Sequence, residues 1–200
     1  LGEIQGTPTI RLYKPKKKQR QEGSHSEKIV LDYRHGERTA KDLLAWVESE
    51  MPNYSTRVTF GKGDLEKAFS KAKKYGLPVA MIFTSKPKTS PLIKFLSTEF
   101  RRRLLLLEVP PTTNNQEILR VYGLEDKDKL PALLVIPSEQ VGNDNAKEYA
   151  IEYDGDKFTR RKLQDFLHKH ALKEPVYKPK DNVGMGSDKE NKEAPLHTEF

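Results

Sequence analysis

The side chains that could carry chemistry in this chain are few, and their spacing is unhelpful. The 200 residues include no cysteine, so the polypeptide can form no disulfide, act through no thiolate and ligate no metal through sulfur. There are five histidines. His168 and His170 stand two apart on an expected helix and so occupy different faces, while His25 and His35 fall in loops with no second ligand at suitable spacing. No metal site is expected. Ser187 in "GMGSDKE" lacks the strained Gly-x-Ser-x-Gly elbow of a hydrolase, and no phosphate-cradling loop occurs. The sequence therefore assigns no catalytic residue and no cofactor to this chain.

Charge narrows the partners. The net charge is +7 and the pI about 9.3, yet 36 Lys and Arg are interleaved with 29 Asp and Glu. Nucleic-acid binding needs basic side chains gathered on one face, with aromatic residues for stacking, and that grouping is missing. The "KPKKKQR" stretch reads as a solvated loop rather than an address or a nucleic-acid contact. The longest apolar run, Leu104 to Leu107, is far too short to span a membrane and has the length of a buried strand.

Hydrophobic periodicity and punctuation give the elements that must position whatever site exists. Thr9 to Lys14 and Lys28 to Tyr33 read as a strand pair with a polar connection. Thr39 then caps a helix bearing Ala40, Leu43, Leu44 and Val47, which Met51-Pro52 stops. A strand at Thr56 to Phe60 precedes a helix capped by Asp64, with Leu65, Ala68, Phe69, Ala72 and Tyr75 on one face and Gly76 at its end. "LPVAMIFTS" is a buried strand. Ser90-Pro91 starts a helix with Leu92, Phe95, Leu96 and Phe100 inward, and Arg101 to Arg103 suit its C-terminus. "LLLLEV" follows as a strand, then a short helix with Ile118, Leu119 and Tyr122, then the strand "ALLVIP" after Leu130-Pro131. Tyr149 to Tyr153 is a further strand, and Thr159 caps a last helix with Leu163, Phe166, Leu167 and His170 inward. Strands separated by helices, closed by a hairpin and a helix, give an α/β mixed sheet covered on both faces. Beyond Lys173 almost nothing is apolar, which reads as a disordered tail.

The chain repeats itself. "LGEIQGTPTIRLY" leads to "LDYRHGERTAKDLLAWV", and "VYGLEDKDKLPALLVIP" leads to "IEYDGDKFTRRKLQDFL". Each copy has a proline-led strand, an aromatic residue before a glycine turn, a threonine cap and an amphipathic helix. In order and content this resembles the thioredoxin fold in tandem, as in the protein disulfide isomerase family. The residues that carry the resemblance are Gly6-Thr7-Pro8-Thr9-Ile10, the turn Asp32-Tyr33-x-x-Gly36-x-Arg38-Thr39, and "PVAMIFTSKPKTSPLIKFL" in the place of the family's strand, active-site loop and helix.

The resemblance implies one partial and one complete copy: residues 1–52 as the C-terminal half of a catalytic-type domain, 53–172 as a complete redox-inactive domain, and 173–200 as a charged tail. It implies that Gly6, Thr7 and Pro8 form the substrate-facing cis-proline loop of a redox centre whose cysteines lie outside this chain. Leu130 and Pro131 are then the equivalent loop of the second domain, and Lys86, Pro87, Lys88 and Thr89 replace its CxxC. The cysteine pair of redox-active members attacks from a helix N-terminus that stabilises the thiolate. Without it the second domain is expected to hold unfolded clients or folding-pathway partners, within a protein that exchanges disulfides or acts purely as a chaperone. His197, Thr198, Glu199 and Phe200 resemble a C-terminal retrieval signal, which implies the lumen of the endoplasmic reticulum. Leu12, Leu31, Leu43 and Trp46, in a half-domain, are expected to form an exposed apolar face.

Overall fold

The computed structural model describes residues 9–15, 28–34, 37–143 and 145–179. The chain divides into two compact units, Leu1–Met51 and Pro52–Phe200.

In the first unit, β1 (Arg11–Pro15) and β2 (Lys28–Asp32) pair antiparallel, with Leu12 opposite Leu31 and Tyr13 opposite Val30. Helix α1 (Ala40–Glu50) starts where expected: the Thr39 hydroxyl accepts from the Asp42 amide at 3.1 Å. Successive strand side chains alternate between faces, so Leu12, Lys14, Leu31 and Tyr33 share one. Helix α1 lies over that face, because Lys14 Nζ donates to Glu50 at 2.5 Å and the Tyr33 and Trp46 rings meet edge to face at 5.2 Å. This corrects the expectation of exposure: Leu12, Leu31, Leu43 and Trp46 are half-buried. The exposed apolar residues are instead Tyr13 and Val30 on the far face of the hairpin, with Ile29, Leu44 and Val47.

The second unit has a five-stranded sheet in the order β3-β5-β4-β6-β7, formed by Thr56–Arg57, Leu105–Val109, Val79–Phe83, Ala132–Ile136 and Ile151–Glu152. The first three run parallel; β6 and β7 are antiparallel to their neighbours. Central strands buried on both faces must be apolar throughout. Val79, Met81, Phe83, Leu105, Leu107 and Val109 therefore pack with helix α2 (Lys62–Tyr75) and α4 (Gln116–Val121). Ala80, Ile82 and Leu106 face the other way, onto α3 (Pro91–Glu99) and α5 (Arg160–His170). The fold class is the expected one, a thioredoxin-like mixed sheet between helices.

Several boundaries differ for physical reasons. The edge strands β3 and β7 are two residues each, since they have a neighbour on one side only. Tyr149 ends a 3-10 turn, Ala146–Tyr149, rather than beginning a strand. Asp64 is not the cap of α2 but its third residue; its carboxylate reaches back to accept from the amides of Thr59 at 2.9 Å and Phe60 at 2.8 Å. The cap is Gly61, at φ 64°, where an added Cβ would sit 2.3 Å from the Asn114 carbonyl oxygen, so only glycine fits. On α3, Ile93 is the buried partner of Leu96, while Leu92 and Phe95 are half-buried.

The segment following α5 also departs from its composition. The Leu172 amide donates to the Arg103 carbonyl at 3.0 Å and the Val176 amide to the Arg102 carbonyl at 2.8 Å. Leu172 and Val176 pack on the core. Two apolar side chains and two free carbonyls after α3 suffice to dock a stretch that reads as tail.

Candidate functional site

The strand ends place the second unit's candidate residues together. Phe83, the last residue of β4, pairs with Ala132, the first of β6. Thr84 to Ser90 therefore leave the sheet beside Leu130-Pro131, whose peptide bond is cis. Pro131 is exposed and Leu130 half-buried against the core. From the other side, the loop runs into the start of α3, where the Ser90 hydroxyl accepts from the Ile93 amide at 3.4 Å and Pro91 takes the first helical position.

The loop is fastened from beneath by groups the sequence reading did not single out. Glu108, on β5, is fully buried. One oxygen of its carboxylate accepts from Arg57 Nη1, directly opposite on β3, and the other accepts from the Thr89 hydroxyl at 2.6 Å. The other arm of the Arg57 guanidinium donates to the carbonyls of Lys86 at 3.0 Å and Pro87 at 3.1 Å. A buried carboxylate is costly unless charge-paired and hydrogen-bonded. Here it is both, and the same guanidinium that neutralises it holds the loop. The signal was a lone acid inside "LLLLEV", on an otherwise apolar strand; such a residue needs a cation nearby, and Arg57 supplies it.

Lys86, Pro87 and Lys88 are exposed, and Thr89 is half-buried with its hydroxyl committed to Glu108. The Thr84 hydroxyl accepts from the Lys86 amide at 3.2 Å. Behind the loop, the Tyr122 ring lies 5.7 Å from Phe83, and burial pushes its phenol up to about 12. It remains protonated across the physiological range and offers no base. Among the described residues no group of three or more His, Asp or Glu is placed to hold a metal, and no helix is long and apolar enough to cross a membrane. What the arrangement offers is an exposed, cationic loop, hydrogen-bonded to the sheet beneath it, next to an exposed proline.

Gly6, Thr7 and Pro8, and likewise His197, Thr198, Glu199 and Phe200, lie outside the described residues. The repeat can still be followed in the described residues of the first unit. The Tyr33 amide donates to the Ile10 carbonyl at 2.9 Å, and the Tyr153 amide to Leu133 at 2.9 Å. Arg11 is opposite Asp32 in one hairpin and Leu134 opposite Glu152 in the other. Each tyrosine donates its hydroxyl to the carbonyl four residues on, Glu37 or Lys157, both at 2.9 Å. Each ring meets an aromatic residue of the following helix: Trp46 at 5.2 Å, Phe166 at 5.3 Å. Counting back two residues from Ile10 and from Leu133 gives Pro8 and Pro131.

No protein-family model matches the chain. A Dictyostelium discoideum protein provisionally named a protein disulfide-isomerase is 30% identical over 175 residues, which is 86% of this chain and 36% of the relative. The chain thus spans about a third of that protein's length. Among solved structures, thioredoxin NaTrxh from Nicotiana alata is 12% identical with a TM-score of 0.44, over 60% of this chain and 95% of that one. The structure of ERdj5, in form I, is 16% identical with a TM-score of 0.49, over 70% of this chain and 18% of that one. In its strand order, its repeated hairpin and helix, and its likeness to the Dictyostelium sequence, the chain resembles the thioredoxin-like, protein disulfide isomerase family.

Proposed function

We propose that this chain is the C-terminal, client-holding part of a protein disulfide isomerase, in which thiol chemistry is supplied by cysteines elsewhere in the same protein. The observation that carries the reading is the loop Lys86 to Thr89. By the sequence resemblance it stands in the place of the family's thiols; it contains no sulfur, and it is held from below by Arg57 and Glu108. A loop built this way can bind but cannot exchange disulfides. Its neighbour Pro131 is exposed, as an extended polypeptide would require. In the first unit, Gly6, Thr7 and Pro8 take the corresponding role toward the catalytic centre.

The clients are unfolded or misfolded polypeptides of the secretory pathway, and other folding proteins are further partners; nucleic acid and membrane are not. Disulfide exchange belongs to oxidising compartments, which supports the lumen of the endoplasmic reticulum as the proposed location. The chain's lack of cysteine also supports a second reading, a chaperone of thioredoxin-like fold with no thiol chemistry anywhere.

Insulin reduction separates these. The chain should give no acceleration, while the longest natural product containing it should be active; an active chain would overturn the proposal, and an inactive natural product would leave the chaperone. Binding is tested by titrating a reduced, unfolded polypeptide while following backbone amide shifts. Perturbations should centre on residues 84–89 and 132–133, and their absence there would refute the assignment of this end of the sheet.

A further inference from the structure

At the opposite end of the strands from the loop lies a cavity of about 320 Å³. Its floor is apolar, formed by Leu77, Leu104, Leu105, Leu106 and Val176, and its rim is aromatic and cationic. Arg101 stacks over the Tyr54 ring at 4.0 Å and donates to the Tyr54 hydroxyl at 3.2 Å. Arg102 stacks over Tyr177 at 4.4 Å. Lys71 completes the rim, and among the described residues no acidic one lines the cavity. Neither arginine has a carboxylate partner among the described residues, although Arg57, Arg11 and Arg120 elsewhere all do.

Backbone conformation adds an independent mark. Arg102 has a φ of 64° and is alone among the described non-glycine residues in having a positive value. The turn that ends a helix in this conformation ordinarily takes glycine, because a side chain there is penalised. The penalty is borne here by a residue whose guanidinium lies over a tyrosine ring that lines the cavity. A guanidinium stacked on a ring keeps its N–H edge free to meet a carboxylate in the plane of the fork.

We propose that this cavity binds an acidic stretch of polypeptide that carries an apolar residue beside its carboxylates. The apolar residue occupies the leucine floor, and the carboxylates meet Arg101, Arg102 and Lys71. Single-stranded nucleic acid could stack on the tyrosines, but a concave floor of leucines suits an aliphatic or aromatic side chain better than a phosphate chain, and three cations at one mouth form no backbone-tracking stripe. The site is distinct from the loop at Lys86 to Thr89 and stands independently of the role proposed there.

The probe is a fluorescein-labelled peptide with a central Leu-Phe pair flanked by glutamates, followed by anisotropy at physiological salt. Its glutamine counterpart, a glutamate-only peptide and oligo(dT) should each bind about tenfold more weakly. Arg102→Gly separates binding from folding, since glycine fits the backbone better: it should weaken the acidic peptide about tenfold while the melting temperature holds or rises. Undiminished binding to Arg102→Gly, tighter binding of oligo(dT), or no binding of the acidic peptide to the native chain would each overturn the proposal. Amide shifts of residues 84–89 with unfolded polypeptide, measured on the same samples, report on the other site separately.

Discussion

The Thr89 hydroxyl donates to the fully buried carboxylate of Glu108 at 2.6 Å, joining the turn before α3 to the middle of β5. With Arg57 on the carboxylate's other oxygen and on two carbonyls of the loop, the connection runs through three elements. The Thr89 oxygen is thereby already engaged in holding the loop to the sheet.

Breaking that connection at Arg57 should be the more damaging change. Arg57→Met leaves a carboxylate buried without its cation and is expected to cost about 3–5 kcal/mol, whereas Thr89→Val, which removes one donor, should cost about 1–3 kcal/mol. Urea unfolding measures both. Adding Glu108→Leu to Arg57→Met should recover much of the loss, because the orphaned charge goes with it; a purely additive double variant would contradict this account.

The second hairpin is closed by a tyrosine that leaves no room beside it. A Cβ at Gly155 would fall 2.0 Å from the Tyr153 hydroxyl oxygen, so Gly155→Ala must displace the ring from Phe158, Phe166 and the Lys157 carbonyl. An overpacking cost of about 1–3 kcal/mol is expected. In a Tyr153→Ala background the same alanine should be nearly neutral. Equal effects in both backgrounds would show that the ring is not what it meets.

Asp64 ties acid stability to the start of α2. Backbone hydrogen bonds from Phe60 and then Thr59 hold its carboxyl below the ordinary value of 3.8. A depressed folded value means that the stabilisation is fully present above the unfolded value and is lost as pH falls through the folded one. Asp64→Ala should therefore melt below the native chain at pH 7, and the gap should close on acidification below about pH 4. A gap constant with pH would place the effect elsewhere.

His170 acts in a higher window with the same sense. Burial, then the neighbouring Lys169, lowers it from 6.5, while its ring lies 4.8 Å from Phe166. Between the lowered value and 6.5 the unfolded chain binds more protons, so stability rises with pH across this window and is lost as pH falls through it. His170→Phe keeps a ring against Phe166 and removes the titration. Thermal melts from pH 7 to 5 should show a shallower slope in the variant, and an unchanged slope would exclude His170 as the source.

Local signals were the legible ones. Thr39, Ser90-Pro91 and Gly76 act within one helical turn of themselves, and all three sit at the ends they mark. The pattern of buried strands was equally plain, since "VAMIF" and "ALLVI" have few alternatives. Asp64 was misplaced because a carboxylate that reaches backward from the third helical position and one that caps from before the helix leave the same trace in sequence. The Arg57–Glu108–Thr89 connection could not be assembled in advance, because its partners are 51 and 19 residues apart and meet only through the register of β3 with β5. Nor could the docking of Val176 be read from a stretch dominated by charge, since a single apolar residue becomes informative only when two carbonyls and a vacant edge of core await it.

That docking sets where the molecule can be cut. Leu172 and Val176 seal the turn of Arg102 and Arg103 from outside, so the working edge of the second unit lies past Tyr177 rather than at the end of α5. A protease nicking near residue 173 would strip one wall from the cavity and expose the Leu104 to Leu106 floor, turning a loss of tail into a loss of solubility.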